Sequence, residues 1–271
     1  MPVELTRVTT PEAKGSRGKW LYTVGQLAVW IELLIFRRWL GGEFLLFRSI
    51  GLIPVGPKAM PVKALDWFAF LRVHPIFGFT FLNGFDMANF VLAGVVFLVL
   101  YEVLGGRARA FMILAVVLML AANVVYLASN PAFPMLTLSS HYAAAATDAQ
   151  RATLLSVGEA VLASKNVFST GQNVAFVFFH VSGLIVSLVM LRSGIFSSRT
   201  SYLGILFNGF GLGFPLAVVL APGNIFLPGA AWVTGVIFWV FWYIGIALTL
   251  RRLGRAASAR HQPAPPPTVS A

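Results

Sequence analysis

The sequence contains no cysteine, and this absence excludes several kinds of chemistry at once. Disulfides, thiolate nucleophiles, iron–sulfur clusters and cysteine-based zinc sites all need a thiol. Charged residues are also scarce, at 11% of the 271 residues, whereas 58% are hydrophobic. Motifs for phosphate-binding loops, serine-hydrolase elbows and zinc-protease helices are missing as well. No catalytic residue and no metal ligand is therefore predicted, and the composition lies outside the range of soluble globular domains.

The formal net charge of +11 does not indicate nucleic-acid binding. Nucleic-acid-binding proteins usually gather basic and aromatic residues on one surface. Here the 20 lysine and arginine residues are distributed over the ends of apolar segments. We therefore expect them to contact lipid head groups, and we expect no nucleic-acid partner.

Continuous apolar stretches are the main feature of the sequence, and a membrane-spanning helix needs about 20 such residues. The period-two alternation of a membrane β-barrel strand is missing. The expected fold class is therefore an all-α, polytopic transmembrane helical bundle within residues 20–254. Six spans are predicted, or five if the first apolar segment, which carries Gln26 and Glu32, lies in the membrane interface. The predicted spans are 20–36, 76–104, 110–129, 171–191, 200–221 and 230–250.

The polar segments complete the predicted organisation. Residues 1–19 form a polar N-terminal segment, and residues 37–72 mix cations, aromatics and helix breakers, as an interfacial connection does. Pro131 and Pro134 are expected to block helix continuation, so that only one helix is predicted in the long connection 130–170. The run Thr147-Asp148-Ala149-Gln150 fits a capping box and predicts an amphipathic surface helix over 148–164. The proline-containing tail 255–271 is expected to be disordered.

The positions of the cations also predict an orientation. If segment 20–36 spans, 12 of the 20 cations lie on the face that holds both termini, and the positive-inside rule places that face in the cytoplasm. Six further cations in the connection 37–72 lie on the opposite face. This conflict is the reason for keeping the five-span alternative.

Three stretches resemble a known family. They are the run Tyr142-Ala143-Ala144-Ala145-Ala146-Thr147-Asp148-Ala149-Gln150-Arg151, the run Met190-Leu191-Arg192-Ser193-Gly194-Ile195-Phe196, and the start Gly204-Ile205-Leu206 of the fifth predicted span. Over roughly residues 85–253 the chain resembles bacterial multi-pass membrane proteins of domain of unknown function 4386. The resemblance implies a six-span bundle with a long outer connection in the bacterial inner (cytoplasmic) membrane. It implies no mechanism.

Polar side chains inside the predicted spans are the candidate functional residues. Ionisable groups in hydrocarbon are costly and often mark a site. Counted along the predicted helices, four of these side chains lie about 9–18 Å from the outer face, so one polar layer could contain Asp86, His180, Asn123 and Asn208. The functional interpretation is a binding or proton-handling pair of Asp86 and His180, and the alternative is that these groups tie helices together by hydrogen bonds. The candidates are Asp86, His180, Asn83, Asn89, Asn123 and Asn208, of which Asn83, Asp86 and Asn89 are predicted to follow one stripe of the second span.

Three other patterns leave alternatives open. His180 could ligate a cofactor, but no second histidine lies at matching depth, so no cofactor is indicated. The glycines of span 200–221 could mark a broken helix at a substrate site or close helix packing. The triplet at Asn83 recurs at Asn208, which would fit an inverted repeat.

The sequence favours a non-enzymatic structural or accessory component of a membrane assembly. The alternatives are a small-solute or proton-coupled permease that uses Asp86 and His180, and a membrane enzyme acting on a lipid or isoprenoid. The expected partners are the lipid bilayer and either other proteins of a complex or further copies of the chain.

Overall fold

The computed structural model describes residues 11–37, 61–165, 170–221, 224 and 226–259. These residues form helices joined by short connections, with no strand among them, and this confirms the all-α fold class. The helices are α1 (Pro11–Arg37), α2 (Ala64–Val73), α3 (Pro75–Phe81), α4 (Asp86–Ser129), α5 (Ala132–Ala144), α6 (Asp148–Lys165), α7 (Thr170–Ser193), α8 (Ser198–Leu220) and α9 (Phe226–Ala259).

Five helical stretches are long and apolar enough to cross a membrane, and α1 has a shorter apolar part, Trp20–Ile35. At most 44% of the most apolar window of each stretch is buried inside the molecule. The remaining apolar side chains face outward, as lipid-exposed residues do. The chain is therefore a multi-helix membrane protein. The five stretches are Asp86–Gly106, Ala108–Ala144, Thr170–Ser193, Ser198–Leu220 and Phe226–Ala259.

Helix α4 is a hairpin, because the backbone at Ala108 leaves the helical conformation (φ −111°, ψ 25°). Its first arm (86–107) and second arm (109–129) run antiparallel. Phe90 of the first arm stacks on Tyr126 of the second at 3.8 Å between ring centroids. Closer to the turn, the backbone of Gly94 approaches the Asn123 side chain. The two arms are therefore separate helices of the bundle. They and the helices α1, α7, α8 and α9 are here called the rods.

The rods form a closed ring in which α1, the two arms of α4, α7, α8 and α9 follow one another. Helix α1 lies between α9 and the first arm, and it runs antiparallel to α9, because Gly25 faces Leu250 and Tyr22 faces Gly254. The core of the ring is apolar and contains fully buried side chains from several rods, among them Phe97, Met190, Trp242 and Tyr243.

Helices α2, α3, α5 and α6, here called the cap, pack on one another around a separate small core. Polar bonds join its helices: Ser139 Oγ donates to the carbonyl of Phe68, and the carboxylate of Glu159 accepts from the backbone N–H of Ala64. The predicted capping box is confirmed at α6. Its Gln150 N–H donates to Thr147 Oγ1, and Gln150 Oε1 accepts from the Thr147 N–H.

The predicted second span, 76–104, is wrong at its start. Helix α3 ends at Phe81, and Asn83 has a left-handed backbone with φ 61° before α4 begins at Asp86. Asparagine tolerates this conformation better than other residues with a side chain. The dipeptide Asn83-Gly84 therefore makes a turn where a continuous apolar run suggested helix.

The prediction of a single helix in residues 130–170 is also wrong, because α5 forms before α6. Pro131 precedes α5 as its N-cap and Pro134 lies in its first turn, where a missing N–H costs no helical hydrogen bond. The predicted polar N-terminal segment 1–19 is partly helical, because α1 begins at Pro11. The predicted disordered tail 255–271 is also partly helical, because α9 continues to Ala259. Of the predicted segments, 1–10, 38–60 and 260–271 lie outside the described residues.

Candidate functional site

A cavity of about 360 Å³ lies inside the ring, at the end next to the cap. All six rods contribute to its wall, and α3 adds Thr80. Nine of its nineteen lining residues are aromatic, so most of the wall is apolar. This size and this mixture of aromatic walls with a few polar groups are typical of small-molecule sites. The polar groups at the wall are Glu32, Thr80, Asp86, Asn89, Tyr126 and His180.

The aromatic wall results from helical spacing on α7. Phe176, Phe179 and His180 recur at intervals of three and four residues, so they share one face. That face meets rings from neighbouring rods: Phe176 packs edge-on against Phe214 of α8, and Phe179 packs against Phe207. The rings fix the shape of the cavity without using polar atoms.

Asp86 lies in the first turn of α4 and lines the cavity. Its Oδ2 accepts a hydrogen bond from the Tyr126 hydroxyl at 3.4 Å, and the Asn89 side chain also interacts with it. The helix N-terminus favours a negative charge at this position. Asp86 is therefore held by both arms of the hairpin.

His180 pairs with Asn208 across α7 and α8, with 3.2 Å between Nδ1 and Oδ1. The Asn208 Nδ2 donates to the carbonyl of Gly204 at 2.7 Å, and this bond orients the amide so that Oδ1 faces the imidazole. Because a carboxamide oxygen only accepts, the proton must be on His180 Nδ1. The other ring nitrogen, Nε2, makes no hydrogen bond within the described residues and belongs to a side chain that lines the cavity.

Two glycines make room for this pair. A Cβ atom at Gly211 would overlap the His180 ring, and a Cβ at Gly183 would overlap the Asn208 amide. Gly204 makes room for Ser187 and Trp242 in the same way. Helix α8 is continuous from Ser198 to Leu220, so no broken helix forms there, and Gly204 and Gly211 serve close packing.

Glu32 is the most deeply buried carboxyl group in the described part of the chain, at 2% exposure. It lines the cavity from α1, and its Oε1 has no hydrogen-bond partner. The polar group beside it is the Tyr243 hydroxyl of α9, which is close enough to interact with the carboxyl but does not meet it in good hydrogen-bond geometry. A buried carboxyl without a partner is energetically costly, so Glu32 is an exception that calls for a functional explanation.

The predicted site residues separate into four groups. Asp86, Asn89 and His180 line the cavity, but Asp86 and His180 have different hydrogen-bond partners and do not bond to each other. Asn208 is fully buried behind His180. Asn123 donates only to the Met119 carbonyl of its own helix.

Asn83 lies in the turn before α4, with its carbonyl accepting from the Asn130 side chain at 3.0 Å. The stripe that included Asn83 is therefore wrong, because it assumed a helix from residue 76. The proposed repeat fails for the same reason, since Asn83 lies in a turn and Asn208 inside a helix.

Sequence reasoning missed Glu32 and Tyr126 as site residues. The signal for Glu32 was present, because the rule that selected Asp86 also applies to a carboxyl in an apolar segment. It was not used because the first apolar segment had an uncertain position. Tyr126 gave no signal, since a tyrosine near a span end is usually an interfacial residue.

The charges at the cavity are of one sign. Glu32 and Asp86 supply two carboxyl groups, and no lysine or arginine is among its lining residues in the part of the chain that the structure describes. Within those ranges, no three histidine, aspartate or glutamate side chains are grouped closely enough to hold a metal ion.

No family model matches the chain, and neither a curated protein nor a solved structure matches it. The resemblance to domain of unknown function 4386 thus stays a prediction.

Proposed function

We propose that this chain is a multi-pass membrane protein that binds a small solute in the central cavity, as a permease does. The observation that carries the proposal is the cavity, to which every rod of the ring contributes and into which three helices bring ionisable side chains. A structural subunit does not need such a space, because a closed, well-packed bundle is more stable than one with a cavity. The accessory role favoured by the sequence has no comparable support in the described residues.

The charges at the ends of the ring support an orientation. Among the ring residues whose side chains are described, the arginines lie at the end of the ring opposite the cavity. Arg252 of α9 donates to the Ile195 carbonyl in the connection between α7 and α8 at 2.7 Å, which joins two parts of this basic end. Because cytoplasmic ends of membrane helices carry excess arginine and lysine, we propose that the end of the ring with the cavity faces away from the cytoplasm.

Solute binding can be tested with three water-soluble aromatic probes of similar size: phenethylammonium, 2-phenylethanol and phenylacetate. Calorimetric titration of the purified full-length protein should show saturable binding of at least one of them. Val236→Trp places a bulky ring at the cavity wall and should abolish this binding. The matched control is Ile237→Trp, at the neighbouring position, which is 53% exposed on the outside of the bundle and should leave binding unchanged.

Two results would overturn the proposal. One is that none of the probes binds. The other is that Val236→Trp and Ile237→Trp have the same effect, because the bound probe would then not be in the cavity.

A further inference from the structure

We infer that the cavity selects an organic cation with an apolar body, and that Glu32 is its counterion. This inference rests on the proposed function, because it names the chemical class of the solute that the cavity takes. Three features of the described residues carry it: the buried carboxyl of Glu32 with its unbonded oxygen, the charges around it, and the aromatic walls.

Glu32 has the properties of a ligand group. It is 98% buried, so its charged form needs a compensating positive charge or several hydrogen bonds, and its Oε1 has neither in the described residues. Tyr243 can donate one hydrogen bond, but a neutral hydroxyl cannot balance the charge. A cation in the cavity supplies the missing partner.

The remaining charges favour the same sign of ligand. Asp86 adds a second carboxyl group to the wall, while His180 is the basic side chain at the described wall. The tautomer of His180 fixed by Asn208 leaves Nε2 as an acceptor while the ring is neutral, so this nitrogen also accepts from a donor such as an ammonium group. An anion would meet two carboxyl groups and no fixed positive charge.

The aromatic walls distinguish an organic cation from a metal ion. A hard metal cation needs several oxygen ligands at once, and no group of three histidine, aspartate or glutamate side chains exists among the described residues. Aromatic faces instead attract ammonium-type cations and solvate an apolar body. Tyr126, Phe90, Phe176 and Trp239 contribute aromatic rings to the wall of the cavity that Glu32 and Asp86 also line.

Titration of the three probes against the native protein and Glu32→Gln tests the inference. Phenethylammonium should bind about tenfold more tightly than 2-phenylethanol, which has nearly the same shape, and phenylacetate should bind least. Glu32→Gln should remove the preference for the cation while 2-phenylethanol still binds. Glu102→Gln, which changes an exposed carboxyl on the outside of α4, is the control that should behave as the native protein does.

The possible outcomes separate the two proposals. If the cation and the alcohol bind the native protein equally well, solute binding stands and the cation inference is wrong. If Glu32→Gln keeps the full preference, Glu32 is not the counterion. If no probe binds at all, the proposed function itself fails. The comparison of probes on the native protein does not depend on whether the variant folds, and Asp86→Asn, which should weaken the preference only partly, provides a second variant.

Discussion

Two polar sites lie close together in this bundle, and they differ in how their hydrogen bonds are satisfied. His180 and Asn208 join α7 to α8, with each amide atom of Asn208 bonded and two glycines shaped to fit the pair. Glu32 on α1 has an unbonded carboxylate oxygen and lines an open space. In a low-dielectric interior, a satisfied group holds helices together, whereas an unsatisfied one is retained at a cost in stability. The difference indicates that Asn208 belongs to the architecture and Glu32 to binding, while His180 bonds to Asn208 through Nδ1 and also lines the cavity.

The largest expected loss of stability is at the glycines that make room for His180 and Asn208. Gly211→Val forces a side chain into the His180 ring and should destabilise the protein by about 3 kcal/mol, the upper part of the usual range for overpacking. Thermal denaturation in detergent measures this change. The control is Gly209→Val on the same helix, where nothing lies within 4 Å of a new Cβ. Equal losses in the two variants would show that helix propensity, and not the pair, accounts for the effect.

The hydrogen bond between His180 and Asn208 should contribute less to the free energy of unfolding than the fit at Gly211 does. Asn208→Leu leaves the Nδ1–H of His180 buried without an acceptor and should cost about 1–2 kcal/mol. Adding His180→Leu removes the unpaired group, so the double variant should be more stable than the sum of the single changes predicts. Asn123→Leu, which breaks only a bond within its own helix, should cost less than Asn208→Leu. Additive losses at 180 and 208 would contradict the pairing.

Acid should weaken cation binding at Glu32. Proton and cation compete for the carboxylate, so phenethylammonium affinity should fall as the pH falls, by at most about tenfold per unit of pH for one proton. The titratable groups that line the cavity or pack beside Glu32 are Asp86, Tyr126, His180 and Tyr243. Protonation of Asp86 or His180 acts in the same direction. Calorimetry over a pH series should therefore give a shallower dependence for Glu32→Gln, and an unchanged one would assign the effect to the other groups.

The smallest effect expected is on the stability of Glu32→Gln. Removing a charge that has no partner should leave the free energy of unfolding within about 0.5 kcal/mol of the native value, or raise it. Denaturation in detergent, run beside Asn208→Leu, measures this. A loss as large as that of Asn208→Leu would mean that Glu32 has a structural role, and the contrast between the two sites would disappear.

Much of the fold could be predicted because burial in lipid leaves few choices. Apolar stretches of sufficient length become helices, and the capping box at Thr147 is a local signal that needs no tertiary information. The turn at Asn83 was missed because hydropathy does not detect a left-handed residue inside an apolar run. Helix α5 was missed because proline was interpreted as a helix breaker, although it is tolerated in a first turn.

The site was harder to predict, since partners depend on which helices become neighbours. The rule that ionisable groups inside a membrane are exceptional identified Asp86 and His180, and both line the cavity. The same rule could not show that Tyr126 faces Asp86 or that Asn208 faces His180, because those contacts join residues 40 and 28 positions apart.

The hydrogen bond from the Asn130 side chain to the Asn83 carbonyl has a consequence for assembly. It joins the two points at which the chain passes between the cap and the α4 hairpin, 47 residues apart in sequence. The chain therefore leaves the cap, forms the hairpin and returns to the cap at one place. The contacts within the hairpin are made between its two neighbouring arms. Such local contacts form with little loss of loop entropy, so the hairpin can enter the membrane as a unit before the distant helices α7, α8 and α9 complete the ring.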